Sequence, residues 1–236
     1  MVFFQINIVR FLTVHIVILG MSIFCFIISL LVIKRGRKRL NYTFSGFYLC
    51  SGIAALINVI YAFLFVNPAV LILHFITYYL FCFAFIFLLL FNLIIIKSEK
   101  LFSPDKQLII IILYAALLLI LAFIPNGLKI DQTTNWEPKY SLIFFCYAIS
   151  IVSCIGIIPN IYLSIKIYKE FENESLKKKW KLYFIGMCIY FVIFYLTSLA
   201  NYLSSQEYNL ILSIILFTSF PAILLVYFGV GRQLEN

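Results

Sequence analysis

The sequence KIYKEFENESLKKKWK, residues 166–181, decides how this chain is arranged. Nine of these 16 residues are charged, which is a third of the charged residues in the chain (18 basic plus 9 acidic). A hydrophobic run long enough to cross a bilayer lies on each side of the segment. The charges have to stay in water, and the six lysines favour the cytoplasmic side, where Lys and Arg are enriched. The side of every other loop then follows by alternation.

The composition indicates a membrane protein. Apolar residues make up 64% of the chain and charged residues 11%, against about 45–50% and about 25% in globular domains. A core of 236 residues cannot hide that much apolar surface from water, so lipid has to be the solvent for much of it. The net charge of +9 comes from Lys and Arg in short loops, so we expect the bilayer, and not a nucleic acid, to be the partner.

Seven apolar runs are long enough to be membrane spans. Their predicted bounds are 11–33, 43–66, 70–96, 107–124, 141–165, 182–204 and 210–230. The first run has no small-residue cleavage site, so we expect it to remain in the protein and not to be a cleaved signal peptide. Only Asn67 and Pro68 separate the second run from the third, and we interpret them as a tight hairpin. Six or eight spans are the alternative counts.

The basic residues predict the orientation. With the amino terminus outside, 15 Lys and Arg residues lie in the cytoplasm and 3 lie outside, as the positive-inside rule requires. The predicted fold is therefore an all-α membrane protein: one seven-helix bundle over residues 1–236 in the plasma membrane, with the amino terminus outside and the carboxyl terminus cytoplasmic. The predicted cytoplasmic basic face consists of Lys34, Arg35, Arg37, Lys38, Arg39, Lys177, Lys178, Lys179 and Lys181.

No catalytic or cofactor-binding pattern is found in the sequence. It has no Ser/His/Asp set, no metal-ligand spacing and no phosphate-binding Gly loop, and its seventh run has no lysine that could carry retinal. The longest segments outside the runs have 16 residues, too few for a separate domain. We therefore expect neither an enzyme nor a bound metal or cofactor.

Two histidines and an outer loop suggest a polar site near the outer end of the bundle. His15 and His74 are the only histidines, and each lies about four residues, or roughly 6 Å, inside its run. Together with Trp136, Tyr140 and Asn201 they are predicted to form a pocket for an uncharged small ligand. The alternative is that both imidazoles are interfacial side chains that bond only to their neighbours.

Prolines and amides inside the runs each have two interpretations. Pro159 and Pro221 are expected to bend the fifth and seventh spans, because proline removes an i→i−4 hydrogen bond. Each bend is either a hinge or a fixed shape. Amides within spans hold helices together more often than they bind ligands. The four amides concerned are Asn58, Asn92, Asn160 and Asn201.

Motifs spread over the whole chain resemble a known family. The segments are 41–44 (NYTF), 136–140 (WEPKY), 178–186 (KKWKLYFIG), Pro221, Tyr227 and 232–234 (RQL). Together they resemble the seven-helix membrane input region of bacterial and archaeal sensor histidine kinases. The resemblance implies a receptor-like sensor for an extracellular or membrane-borne ligand. Because no kinase module follows Asn236, we expect the signal to leave through a separate cytoplasmic protein.

A small transporter or membrane chaperone is the alternative function, since bent spans also permit alternating access. Two features of the sequence argue against a transporter. No Asp, Glu, Lys or Arg lies within a predicted span, and no internal repeat is detectable. A dimeric structural protein is a third possibility, and a sensor too can form a homodimer.

Overall fold

The computed structural model describes residues 13–36 and 38–230. Within them two short strands, β1 (Leu128–Lys129) and β2 (Lys139–Tyr140), pair antiparallel. π-helical turns cover Thr13–Ile18 and Val152–Ile157, and 3-10 turns cover Ile120–Phe123 and Gln132–Thr134. The α-helices of the described part are α1 (Leu19–Lys34), α2 (Arg39–Tyr61), α3 (Ala69–Leu101), α4 (Pro104–Leu119), α5 (Leu142–Ile151), α6 (Ile158–Glu170), α7 (Glu174–Leu203), α8 (Gln206–Leu216) and α9 (Ser219–Val230).

Seven stretches of these helices are long and apolar enough to cross a membrane. They are Val14–Lys34, Arg39–Tyr61, Ala69–Ser98, Pro104–Phe123, Leu142–Glu170, Glu174–Leu203 and Ile211–Val230, called the first to seventh spans below. Their outward surfaces are apolar; Ile143, for example, is 69% exposed and Ile214 is 64% exposed. Lipid is the solvent that such surfaces require. The predicted all-α multi-pass membrane fold with seven spans is thus confirmed.

The two ends of the bundle differ in charge. One end, called the basic end, carries residues 34–36, 38–39, 97–106 and 166–181. The other, called the hairpin end, carries residues 61–69, 124–141 and 203–206. Of the predicted basic face, every residue but one lies at the basic end; Arg37 is outside the described residues. The charge distribution predicts that the basic end faces the cytoplasm.

The lysine-rich segment is mostly helical, and this corrects the interpretation of residues 166–181 as a loop. Only Phe171–Asn173 are non-helical between α6 and α7. The Asn173 side chain accepts hydrogen bonds from the backbone N–H groups of Ser175 (2.8 Å) and Leu176 (3.4 Å) and so caps α7. Lysine is a good helix former, so the sixth span begins at Glu174 and not at residue 182.

The second span also differs from its predicted position of 43–66. It runs from Arg39 to Tyr61, because the polar residues after the first basic segment are already helical. Residues 62–68 therefore connect it to the third span. The predicted two-residue hairpin at Asn67 and Pro68 is too short.

The loop between the fourth and fifth spans is folded. Strands β1 and β2 pair Leu128 with Tyr140, and the intervening turn is capped by Asp131. The Thr133 hydroxyl and N–H donate to the Asp131 carboxylate at 2.5 and 2.8 Å. These hydrogen bonds, with the nearby Lys129 ammonium, hold the pKa of Asp131 below its ordinary value. The folded loop thus fixes the position of Tyr140 at the end of the bundle that carries residues 124–141.

The third and sixth spans form the centre of the bundle. The fully buried ring of Phe85 meets the rings of Tyr190 and Phe194 at centroid distances of 5.6 and 5.4 Å. Nearer the hairpin end, the Tyr78 hydroxyl is 3.0 Å from the Ser198 hydroxyl. The sixth span also packs closely against the seventh at Gly186 and Gly229, as small residues allow between membrane helices.

Thiol labelling will test the predicted orientation. A cysteine in place of Gln132, in the hairpin loop, is expected to react with an impermeant maleimide from outside the intact cell. One in place of Glu172 is expected to react only after permeabilisation. Both positions are exposed, and neither substitution removes the Asp131 or Asn173 cap. The six native cysteines lie within spans and serve as the background control. Labelling of both sites from the same side contradicts a membrane crossing by the fifth span, which lies between them.

Candidate functional site

A cavity of about 120 Å³, partly open to the surface of the bundle, lies in the half nearest the hairpin end. The first, second, third, sixth and seventh spans contribute to its wall, and Tyr140 contributes from β2. Its apolar lining includes Met21, Ala54 and Phe81. Its polar lining includes Asn58, His74, Thr77, Tyr140, Thr197 and Asn201.

Three of the five predicted pocket residues line this cavity, namely His74, Tyr140 and Asn201. The other two lie elsewhere. The His15 ring contacts the Phe63 ring at 4.5 Å, and the Trp136 ring contacts the Phe65 ring at 5.8 Å. Both are held against the connection between the second and third spans. The structure therefore does not bring His15 and Trp136 into the cavity with the other three.

His74 is fixed by two tyrosines. Its Nδ1 is 2.9 Å from the Tyr61 hydroxyl and its Nε2 is 3.0 Å from the Tyr140 hydroxyl. A neutral imidazole has one donor and one acceptor, so one hydroxyl accepts from the ring and the other donates to it. With both ring nitrogens engaged, His74 positions the cavity wall and offers a ligand only its ring surface.

Two threonines that line the cavity, Thr77 and Thr197, have buried hydroxyls without a hydrogen-bond partner among the described residues. Leaving such a buried group unpaired costs about 1–3 kcal/mol. A rotation of either side chain about χ1 would turn its hydroxyl toward the cavity, where water or a ligand could pair with it.

Sequence reasoning missed both threonines, although a faint signal was present. Thr77 lies three residues after His74, and Thr197 lies four residues before Asn201. These spacings put each pair on one face of its helix. Two polar residues three or four positions apart in an apolar run are thus the sequence pattern that indicates Thr77 and Thr197.

The cavity wall carries no formal charge in the part of the chain that the structure describes. No Asp, Glu, Lys or Arg is among those lining residues. A bound ion would have no counter-charge there, and burying an unpaired charge is strongly unfavourable. The arrangement suits a neutral molecule with at least one hydrogen-bonding group.

A second polar cluster, nearer the basic end, is fully satisfied. The Asn92 side chain donates to Asn160 Oδ1 at 2.8 Å and accepts from the Tyr183 hydroxyl at 3.0 Å. Asn160 Nδ2 in turn donates to the backbone carbonyls of Phe85 (3.1 Å) and Gly156 (2.8 Å). This cluster joins the third, fifth and sixth spans. Asn92 and Asn160 thus hold helices together, whereas Asn58 and Asn201 face the cavity.

Regular α-helix is interrupted beside both prolines. In the fifth span Pro159 follows the π-helical turn, where the Ile158 N–H bonds the Ser153 carbonyl. In the seventh span Pro221 lies in the first turn of α9, after the break at Phe217 and Thr218. A first helical turn needs no intrahelical partner for its N–H groups, so proline fits these positions. The break in the seventh span adjoins the cavity, because the neighbouring Leu216 and Ser219 line it.

The basic end contains two arginines that contact neighbouring segments of the chain. The Arg35 guanidinium lies over the Tyr227 ring, 5.0 Å from its centroid, and donates to the Tyr227 hydroxyl. Arg39 donates to the Phe102 carbonyl at 3.0 Å. Other residues of the predicted basic face are exposed to solvent: Lys34, Lys38, Lys178, Lys179 and Lys181. Lys177 pairs with the Glu174 carboxylate at 3.0 Å.

Comparison with known proteins gave no match to a family model, to a curated protein or to a solved structure. The resemblance to sensor input regions therefore rests on the sequence motifs alone.

Proposed function

We propose that this protein is a receptor-like membrane sensor. An uncharged small ligand binds in the cavity, and its presence is passed to the basic end, where a separate signalling protein binds. The observation that supports this most is the pair of unsatisfied hydroxyls of Thr77 and Thr197 at an uncharged cavity. Buried polar groups that serve only stability are normally paired, as Asn92 and Asn160 are.

Helix α9 is the proposed connection between the cavity and the basic end. Ser219 lines the cavity at the start of the helix, and Tyr227 contacts Arg35 eight residues later, or about 12 Å along its axis. Midway, the Tyr48 hydroxyl donates to the Ile223 carbonyl at 3.1 Å. A ligand that presses on Ser219 would shift this short helix against the second span and move Arg35 with it.

The proposed output surface is the group of exposed lysines at the basic end. Lys38 lies beside Arg35 in sequence, and Lys178, Lys179 and Lys181 project from the start of the sixth span. In the predicted orientation this surface faces the cytoplasm. A signalling protein with an acidic face fits it by charge complementarity.

A small transporter is the second candidate, and one observation favours it. The seventh span is interrupted at Phe217 and Thr218, beside the cavity. Discontinuous helices at the substrate site are common in secondary transporters. A transporter must open the cavity to each end of the bundle in turn, whereas a sensor need not.

A binding screen will test the sensor proposal. Uncharged molecules of up to about five heavy atoms suit a cavity of this size, and thermal shift of the full chain in nanodiscs identifies those that bind. Hits are expected to bind about tenfold more weakly to Thr197→Val or Thr77→Val, because one hydrogen bond is lost. Thr43→Val is the matched control, since the Thr43 hydroxyl bonds the Arg39 carbonyl far from the cavity. Equal loss in the control contradicts binding at the cavity.

The same hits separate the two candidate functions. A cysteine in place of Ala54, which lines the cavity without a hydrogen-bonding side chain, is exposed to an impermeant thiol reagent from the basic end in proteoliposomes of known orientation. Protection throughout, with and without the hit, agrees with a sensor. Reaction from the basic end that depends on the hit supports alternating access instead.

A further inference from the structure

A lipid-facing groove lies between the sixth and seventh spans. Its volume is about 380 Å³, and its wall includes Phe184, Cys188, Val192 and Ile215. The one hydroxyl in the wall, that of Thr218, is already bonded to the Ile215 carbonyl at 2.6 Å. The groove is therefore a hydrocarbon-binding surface open to the bilayer.

The groove and the cavity share a wall. Ile193, which is 3% exposed, lines both. On the seventh span, Ile215 and Thr218 face the groove, while their neighbours Leu216 and Ser219 face the cavity. One layer of side chains thus separates bilayer hydrocarbon from the hydroxyl of Thr197.

The shared wall is also where the regular α-helix of the seventh span is interrupted, and the N–H groups of Phe217 and Thr218 make i→i−3 hydrogen bonds instead. The helix α8 ends at Leu216 and α9 begins at Ser219. Segments with fewer regular backbone hydrogen bonds open at lower free energy than continuous helix. This part of the wall is therefore the easiest to displace.

The hairpin end of the cavity is covered more firmly. The side chains of Tyr61, His74 and Tyr140 are hydrogen-bonded in a row and all buried. Above them Tyr61 packs with Val70 and Ile130 in a separate apolar cluster under the folded loop. Entry from water would have to break this row and move the loop.

We propose that the cavity takes a neutral amphiphile directly from the bilayer, through the gap between the sixth and seventh spans. Its hydroxyl or carbonyl group pairs with Thr77 and Thr197, and its hydrocarbon tail lies in the groove once Ile193 turns aside. The proposal rests on the proposed function only in assigning the ligand to the same cavity.

The two volumes set the size of this molecule. A cavity of 150 Å³ in another protein holds benzene, which has about six carbon atoms. A cavity of about 120 Å³ therefore holds a head group of slightly fewer than six heavy atoms. The groove is large enough for a medium-length chain beyond it. A fatty alcohol or ketone meets these conditions. A fatty acid does not, because no cationic side chain is among the described lining residues.

A photoreactive octanol with a diazirine in its chain tests the proposal. The full chain in nanodiscs is labelled, and the labelled peptides are mapped by mass spectrometry. We expect labelling of residues in both the groove and the cavity wall. Val192→Trp fills the groove at a position that is 51% exposed, and we expect it to reduce cavity labelling about tenfold, as loss of the apolar tail contact requires. Ile211→Trp, on the same surface at 50% exposure but outside the groove, is the matched control and should label as wild type.

Three outcomes overturn the proposal. Cavity labelling that is equal in Val192→Trp and wild type means that the ligand does not use the groove. Equal cavity labelling by a diazirine octane without the hydroxyl means that Thr77 and Thr197 do not select a head group. Labelling of the groove alone means ordinary lipid contact. In each case the sensor proposal still holds if a water-soluble neutral molecule binds to the cavity and its binding depends on Thr197. If no neutral molecule binds in this way, the sensor proposal fails together with the amphiphile proposal.

Discussion

Replacing Gly186 by alanine is expected to lower the free energy of unfolding by about 2–3 kcal/mol, the usual effect of forcing an extra carbon into a packed interior. An alanine Cβ at this position would lie 2.6 Å from the Ala222 carbonyl oxygen and 2.8 Å from the Val226 nitrogen. Both are backbone atoms of α9, so relief requires the sixth and seventh spans to move apart. Unfolding of the purified chain from mixed micelles measures the change.

Gly46→Ala is the matched control for this substitution. The nearest atom to its added Cβ would be a ring carbon of Phe87 at 2.7 Å. That ring belongs to a half-buried side chain and can rotate away. Alanine also favours a helix over glycine by about 1 kcal/mol, so Gly46→Ala is expected to be neutral or stabilising. If Gly186→Ala is equally well tolerated, the sixth and seventh spans do not pack as closely as described.

Replacing Asn160 by leucine is expected to lower the free energy of unfolding by about 2–3 kcal/mol, because it leaves the buried Asn92 amide without its acceptor. It also removes the two hydrogen bonds from Asn160 to the Phe85 and Gly156 carbonyls. Single hydrogen bonds between membrane helices contribute about 0.6 kcal/mol on average. The expected effect is larger because three bonds are lost together in one closed cluster.

Tyr162→Leu, in the same helix, is the control for Asn160→Leu. Tyr162 is 67% exposed and faces lipid, so its loss should change stability by less than about 0.5 kcal/mol. A double substitution with Asn92→Leu sharpens the comparison, since removing both partners leaves no unpaired amide and should restore part of the loss. Additive losses would show that Asn92 and Asn160 do not act as one cluster.

The number of spans could be predicted from sequence because each run is long, apolar and bounded by charges or turn residues. The ends of the spans could not. Hydropathy marks where a chain leaves the hydrocarbon, but a helix continues into water when its residues favour helix, as Lys177–Lys181 do in the sixth span. The strand pair around Gln132 could not be predicted either, since strands of two residues are too short to show an alternating hydrophobic pattern.

The cavity could be predicted in part. Depth along each span placed His74, Tyr140 and Asn201 at one level, and they do line one cavity. Depth does not say which face of a helix a residue occupies. The His15 ring, predicted to lie at the same level, contacts Phe63 and is not among the residues that line this cavity. Thr77 was overlooked because a single threonine in an apolar run is ordinary until a structure shows its hydroxyl unpaired.

The most direct test of the central claim, that the cavity hydroxyls serve a ligand, needs no ligand. It is the free energy of unfolding of the ligand-free double variant Thr77→Val and Thr197→Val. Because valine matches threonine in shape and the hydroxyls have no described partner within the protein, we expect stability equal to wild type within about 0.5 kcal/mol, or higher. A loss of more than about 2 kcal/mol, the size expected when two internal hydrogen bonds are removed, would show that the hydroxyls stabilise the bundle itself and would contradict the account.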